Sequence, residues 1–138
     1  MKTKHYLTAA DVEILVNAAA QYATAHNFNV SIAVVDDGGT LLMMKRMDGA
    51  SVLSTQICQE KAHSAAVSRR ATKASEDMIR DGKIGFLTIN AAKGMLEGGE
   101  PIVYQGQIVG AVGVSGVQSF QDAEIAQHAI QQFLEQHT

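Results

Sequence analysis

One lysine of the chain has a setting in which its amine can meet an anionic small molecule. Lys61 lies on the same predicted helical side as Leu53, Ile57 and Ala65. A lysine on an apolar stripe either extends to the edge of that stripe or points into a pocket where its ammonium group pairs with an anion. The sequence leaves both alternatives open for Lys61.

A second candidate is the Arg46-Met47-Asp48 run, which follows a predicted strand. Arg46 and Asp48 can pair with each other and stiffen the turn. Alternatively, the guanidinium group of Arg46 can bind a ligand carboxylate through two parallel hydrogen bonds. With Lys61, this arginine suggests an enzyme that acts on a small organic acid, with the lysine as its acid, base or electrostatic group.

Glycines are unusually frequent relative to proline, with twelve Gly and one Pro. Gly110, Gly113 and Gly116 do not form a dinucleotide-binding or Walker A motif, because the required spacing and the terminal Gly-Lys-Ser/Thr are missing. Glycines along a strand either let another backbone or subunit approach closely or contact a flat ligand. A purely structural assembly surface without a ligand is therefore one reading of this strand.

Metal-binding and thiol chemistry receive little support from the sequence. The five histidines have no H-x-x-x-H or H-E-x-x-H spacing, so we predict no metal site. Cys58 is the single cysteine, which excludes an internal disulfide and is typical of a buried apolar group. Glu97 and Glu100 alone supply too few ligands for a hard cation.

Composition indicates one globular domain over residues 1–138, with 46% hydrophobic and 18% charged residues. Net charge is −3, but residues 61–83 hold six basic and three acidic groups. We expect no nucleic-acid partner, because a basic face with stacking aromatic residues is missing. The sequence has no apolar run near the roughly 20 residues of a membrane span and no apolar signal core, so we expect a cytoplasmic protein without membrane contact.

The first half of the chain has the pattern of a helix, a hairpin and further helix. Thr8 and Asp11 predict a capped helix start, and the apolar stripe continues to about His26. Residues 30–35 and 41–46 flank Asp-Asp-Gly-Gly, which predicts a hairpin whose first strand is central in the sheet. Residues 54–80 are Ala-rich and predict one long helix or two shorter ones.

The second half predicts another hairpin and a last helix. Residues 102–104 and 108–114 form strands across Gln105-Gly106, and Ser119 with Asp122 opens the helix. Residues 86–90 have no clear pattern. This order of elements predicts an α/β (α+β) fold with an antiparallel sheet packed with helices.

Several motifs together resemble one family. They are Ala33–Gly39, Arg46–Ala50, Lys61-Ala62, Gly98-Gly99-x-Pro101-Ile102, Val109–Gly116 and Gln121-Asp122. Their order and spacing are similar to those of the GlcG/HbpS family, which also forms the C-terminal domain of PduO-type corrinoid adenosyltransferases. Ser64 stands where the family commonly has threonine.

The resemblance implies a profilin-like fold with a central antiparallel sheet of about five strands, and assembly into homo-oligomers, as dimers or larger. It implies a small-molecule-binding role, with haem or a related tetrapyrrole bound non-covalently, accessory to glycolate, diol or corrinoid-linked metabolism. The motif positions make these the expected cofactor-binding residues, gathered at one cleft or interface with Asp36: Arg46, Asp48, Lys61, Gly98, Gly99 and Ser115.

Haem binding needs an apolar slot, an axial ligand and cations for the propionates. The sequence offers several candidates for these tasks: Tyr22, His26, Met43, Met44, Arg46, Lys61 and His63. Three functions remain open at this point, namely a tetrapyrrole-binding protein, an enzyme acting on a small organic acid or aldehyde, and an assembly protein.

Overall fold

A four-stranded antiparallel sheet organises residues 1–137, which are the residues that the computed structural model describes. The elements are α1 (Ala9–Ala25), β1 (Ser31–Asp36), β2 (Leu41–Arg46), α2 (Val52–Ser68), α3 (Thr72–Arg80), a 3-10 helix (Ile84–Thr88), β3 (Gly99–Tyr104), β4 (Gln107–Ser115) and α4 (Ser119–Glu135). None of these helices is long and apolar enough to cross a membrane.

The strand order is β2-β1-β4-β3, and every neighbouring pair is antiparallel. β1 is central, as its continuous apolar sequence predicts. Helices α1 and α4 cover one face and form the larger core with it, while α2 covers the other face through small residues. The predicted α+β class with an antiparallel sheet is confirmed.

The prediction of about five strands is wrong for the described residues, which contain four. The chain between α3 and β3 forms a 3-10 helix and then irregular backbone. Phe86 and Leu87 are adjacent apolar residues, which breaks the alternation of apolar and polar residues that a half-buried strand requires. We call residues 84–98 the connecting segment.

Helix α1 begins as predicted. Asp11 N–H donates to Thr8 Oγ1 at 3.2 Å, and Thr8 N–H donates to Asp11 Oδ2 at 2.9 Å, which is a complete capping box. Such a cap stabilises a helix by about 1 kcal/mol. The helix ends at Ala25 with His26 as its C-cap, also as predicted.

The Ala-rich stretch forms two helices, because Arg69 adopts a left-handed conformation with φ of 60° and ends α2.

The last helix begins at Ser119 as predicted, but the predicted pairing of Ser119 with Asp122 is wrong. Gln118 is the N-cap and pairs with Gln121, whereas Asp122 turns its carboxylate inward. Asp122 is thus used in the core and not as a cap for Ser119.

Both predicted hairpins are present. In the first, Asp36 Oδ1 accepts hydrogen bonds from the N–H groups of Gly38 and Thr40, both at 2.9 Å, so this carboxylate shapes the turn. In the second, Gln105 and Gly106 have φ of 49° and 76°, and Tyr104 pairs with Gln107. Two successive positive φ angles are typical of a type I′ turn.

The contact between α2 and β4 depends on Gly113. A methyl group at this position would overlap Cys58 O and lie 2.5 Å from Ala62 N, both in the backbone of α2. The helix therefore lies directly on the strand. This confirms that a glycine of β4 admits the close approach of another backbone, here one from the same chain.

We predict that Gly113→Ala lowers the free energy of unfolding by about 3 kcal/mol, because the helix must move away from the strand. Urea denaturation of the purified variant measures this change. Gly85→Ala is the matched control, since a methyl group there meets nothing within 4 Å. A Gly113→Ala variant as stable as Gly85→Ala would contradict the account of the α2 contact.

Candidate functional site

The Lys61 side chain is buried and paired. Its Nζ lies 3.2 Å from Asp122 Oδ2 and donates to Val114 O at 2.9 Å. Both side chains of the ion pair are only 3% exposed. Lys61 thus joins α2 to the end of β4 and to α4, and its ammonium group is already bound to a carboxylate of the chain.

Asp122 is held at a second point. Its Oδ1 accepts a hydrogen bond from Val117 N–H at 3.2 Å. Burial raises the pKa of Asp122 from its usual 3.8 to about 6, against the opposing effect of the Lys61 ammonium group. The carboxyl is therefore ionised at neutral pH and gains a proton under mildly acidic conditions.

Gly98 and Gly99 lie against Lys61 and allow β3 to begin there. A methyl group on Gly98 would lie 2.7 Å from Lys61 Nζ, and one on Gly99 would overlap the Lys61 carbonyl group. Gly98 also has φ of 132°, which side chains rarely adopt. The two glycines and the lysine form one packed unit, as their shared place in the sequence motifs suggests.

Arg46 and Ser115 lie in one row across the end of the sheet, because Ser31 of β1 pairs with both of them. The Arg46 guanidinium group donates twice to Ala50 O, from Nε at 3.1 Å and from Nη2 at 2.9 Å. Asp48 is exposed in the turn that follows β2. The predicted Arg46–Asp48 pair is thus replaced by a contact of Arg46 with backbone.

The six predicted residues therefore do not meet at one point. Lys61, Gly98 and Gly99 meet behind the start of β3, while Arg46 ends β2 and Asp48 lies in the turn after it. Ser115 lies between them at the end of β4. Contact of any of the six with a ligand stays a prediction.

Two adjoining cavities lie along the connecting segment. The first, which we call the loop cavity, measures about 570 Å³ and is enclosed by α3 and the segment. The second, the hairpin cavity, measures about 500 Å³ and lies between the first hairpin, α2 and the segment. Asn90 and Lys93 line both cavities. Both volumes fall in the range of about 300–1,000 Å³ that is usual for small-molecule sites.

Side chains of α2 and α3 fix the backbone of the connecting segment. Ser64 Oγ donates to Lys93 O, and Thr72 Oγ1 donates to Leu96 O while accepting from Gly99 N–H. His63 places Nε2 2.9 Å from Ala91 O and Nδ1 2.9 Å from Gly39 O. Only a doubly protonated ring can donate to both carbonyl groups at once.

The candidate ligand donors suggested by the sequence have different surroundings. Met43 and Met44 pack against the two cores from β2, and both nitrogens of His63 face carbonyl oxygens. His26 is exposed and stacks on Tyr22 with ring centres 4.1 Å apart. In residues 1–137, no group of three or more His, Cys, Asp or Glu side chains is arranged to hold a metal ion.

Sequence reasoning missed two features of this region. The partner of Lys61 is 61 residues away, and the Gln121-Asp122 motif was the only signal that pointed to it. The cavities were missed because residues 86–90 had no periodic pattern. The sequence did show large apolar residues, among them Leu87 and Ile89, in a stretch without helix or strand periodicity, and the structure shows that they are exposed.

We predict that Lys61→Met and Asp122→Asn each lower the free energy of unfolding by about 3 kcal/mol, because each leaves one buried charge unpaired. The double variant loses less than the sum of the two, since it removes both charges together. Urea denaturation of the four proteins measures the coupling energy. Strictly additive losses would contradict a direct interaction between the two side chains.

The raised pKa of Asp122 also predicts a pH dependence. Between about pH 4 and about pH 6, Asp122 is protonated in the folded chain but ionised in the unfolded chain. Protonation of Asp122 therefore stabilises the folded chain fully at low pH, and this stabilisation is lost as pH rises. We expect wild type to lose up to about 3 kcal/mol relative to Asp122→Asn between about pH 4 and about pH 7. Urea denaturation of both proteins across this range measures the difference; a relative gain of wild type would contradict the raised pKa.

Comparison with known proteins finds a matching family and similar proteins over most of the chain. The family described as "Haem degrading protein HbpS-like" matches residues 7–131. The chain is similar to protein GlcG of Escherichia coli (strain K12), with 46% identity over 115 residues, which are 83% of this chain and 85% of that protein.

Two crystal structures have the same fold. Klebsiella pneumoniae protein ORFY has a TM-score of 0.90 and 33% identity, over 97% of this chain and 94% of that one. A PduOC:heme complex has a TM-score of 0.83 and 27% identity, over 92% of this chain and 94% of that one. The agreement of family match, identity and fold leads to one conclusion: the chain belongs to the HbpS-like family.

Proposed function

We propose that this protein binds haem or a related tetrapyrrole, non-covalently, in the loop cavity and the adjoining hairpin cavity. The observation that carries the proposal is the wall of exposed apolar side chains around the loop cavity. Membership of the HbpS-like family and the similarity to PduOC, which was crystallised as a complex with heme, support this choice of ligand.

The connecting segment exposes several large apolar side chains. Ile84 and Leu87 are 67% and 68% exposed, and Ile89 and Leu96 are also exposed. Leu87, Ile89 and Leu96 line the loop cavity together with Ile79 of α3. A flat apolar ligand would cover part of this surface, and each side chain removed from water would contribute about 25 cal/mol per Å².

Two cations lie on the walls of the loop cavity. Arg80 makes only loose ion pairs with Glu76 and Asp77, at 3.5 and 3.8 Å, and is largely exposed. Lys93 is exposed and lines both cavities. Neither cation is buried in a fixed pair, so each is available for a carboxylate of the ligand, such as a propionate.

Met95 supplies the thioether among the residues that line the loop cavity, and a thioether is a known axial ligand of haem iron. His63 lines the hairpin cavity, but both its nitrogens face carbonyl oxygens and it must release one of them before it can bind iron. The residues present thus fit a tetrapyrrole: an apolar wall, two cations and one soft ligand. When bound, the group would supply redox-active iron.

The residues expected from the motifs have two kinds of role in the proposed function. Lys61, Gly98 and Gly99 act as positioning residues, because they fix the point at which the connecting segment enters β3. Ser115 belongs with them, since it is buried next to Val114, whose carbonyl group accepts from Lys61. Arg46 and Asp48 lie near the start of α2 and are exposed, so they are candidates for contact with a partner subunit. Assembly into dimers or larger homo-oligomers, and a role beside glycolate, diol or corrinoid-linked metabolism, remain part of the proposal.

The geometry gives the enzyme hypothesis less support. That hypothesis needs Arg46 to bind a substrate carboxylate and Lys61 to exchange protons. Arg46 already donates to Ala50 O, and Lys61 is enclosed with Asp122 and Val114 O. Both cations would have to exchange internal partners for a substrate.

We predict that titration of the apo protein with hemin produces a shifted Soret band that saturates at a fixed stoichiometry. Met95→Leu should weaken binding by about tenfold or more and move the band, because the axial sulfur is lost while the apolar volume is kept. Absorbance titration at equilibrium measures both effects.

Met43→Leu is the matched control, since Met43 packs against the core on the other face of the sheet. It should bind hemin like wild type. A spectrum equal to free hemin plus scattering would contradict tetrapyrrole binding. Saturable binding that Met95→Leu and Met43→Leu leave equally unchanged would contradict the loop cavity as its location.

A further inference from the structure

A third cavity, remote from the connecting segment, has a wall of rings that the proposed function does not use. It measures about 140 Å³ and lies between the N-terminal segment, the second hairpin and the end of α4. Three of the seven aromatic residues of the chain line it, as do two of the five histidines. We call it the aromatic cavity; its ring residues are His5, Tyr6, Tyr104, Phe133 and His137.

The rings contact one another around the cavity. His5 meets Tyr104 edge to face at 5.0 Å, Tyr104 meets His137 at 6.3 Å, and His137 tilts against Phe133 at 4.3 Å. Gln107 holds the N-terminal segment that forms one wall of the cavity. Its Oε1 accepts from His5 N–H at 3.0 Å, and its Nε2 donates to Thr3 O at 3.1 Å.

Asp11 places a carboxylate in this wall. Burial acts to raise the pKa of Asp11, but the hydrogen bonds from Thr8 and the nearby His137 ring outweigh it and hold the pKa below its usual value. Asp11 is therefore ionised at neutral pH. A carboxylate beside several aromatic rings is a combination that attracts an organic cation, because the carboxylate and the faces of aromatic rings are both negative.

The hydrogen-bonding partners of the His137 ring indicate that a cation bound here carries an N–H group. Its Nδ1 lies 2.8 Å from Phe133 O, and a carbonyl oxygen only accepts, so Nδ1 carries the hydrogen. Whenever the ring is neutral, the lone pair of Nε2 therefore faces Asp11 Oδ1, which lies 3.4 Å away. His137 Nε2 and Asp11 Oδ1 are then two acceptors that face each other without a donor between them. Either a proton on Nε2 or an N–H group of a ligand can supply the donor.

We propose that the aromatic cavity is a binding site for a small alkylammonium ion that carries at least one N–H. The ammonium group donates to Asp11 Oδ1 and His137 Nε2, and its alkyl chain lies against Tyr104 and Phe133. The volume equals that of roughly four to five water molecules at about 30 Å³ each, which limits the ligand to a few heavy atoms and excludes a tetrapyrrole.

Three probes of similar size test the proposal: propylammonium, tetramethylammonium and 1-propanol. Titrations are followed by amide chemical shifts at about pH 8, where an unperturbed imidazole is neutral. We expect saturable shifts with propylammonium, at amides of residues 5–11, 104 and 133–137. Tetramethylammonium lacks the N–H and 1-propanol lacks the charge, so each should bind at least about tenfold more weakly.

His137→Phe keeps a ring against Phe133 but removes the acceptor, and it should weaken propylammonium binding by about tenfold. His128→Phe is the matched control, because His128 is exposed on α4 and contacts Tyr22 outside the cavity. No saturable shift with propylammonium would overturn the proposal. Equal binding of propylammonium and 1-propanol, or wild-type affinity in His137→Phe, would overturn it as well.

Discussion

Helix α2 lies directly on the sheet, and this contact determines the positions of Lys61 and of the connecting segment. Two glycines, Gly99 and Gly113, let the helix backbone lie against β3 and β4 without intervening side chains. The helix can then bury Ala62, Ala65 and Ala66 in place of large residues. At such a short distance a lysine can reach across the sheet end to Asp122, so the ion pair is a consequence of the close packing.

The same contact determines where the connecting segment lies. Ser64 and Thr72 bind carbonyl groups of the segment, and Thr72 also accepts from Gly99 N–H at the start of β3. The segment is thus held at several points although it has little regular structure. Its exposed apolar side chains are therefore presented in a fixed arrangement around the cavities. In this way the close-packed glycines and alanines of the α2 contact help to position the walls of the two cavities, to which they contribute no side chain.

Much of the fold follows from local sequence patterns. The capping box at Thr8, the Asp-Gly turn and the apolar run of β1 predicted their elements correctly, because each depends on residues that are near in sequence. The features that were missed depend on distant partners. From the sequence, Asp122 is expected at the start of a helix, but in the structure its carboxylate pairs with Lys61. Arg46 is expected to pair with Asp48, but its guanidinium group donates to the Ala50 carbonyl. A fifth strand was expected from the resemblance, whereas residues 84–98 lack the alternation that a strand needs.

We propose that a tetrapyrrole is held by the connecting segment, and amide hydrogen exchange with and without hemin can locate the bound group. Saturating hemin should slow exchange in residues 84–96 and in the facing residues of α3, with little change at the α1 and α4 surface around His26. Protection confined to that α1 and α4 surface, or no protection at all under conditions where hemin is bound, would contradict it.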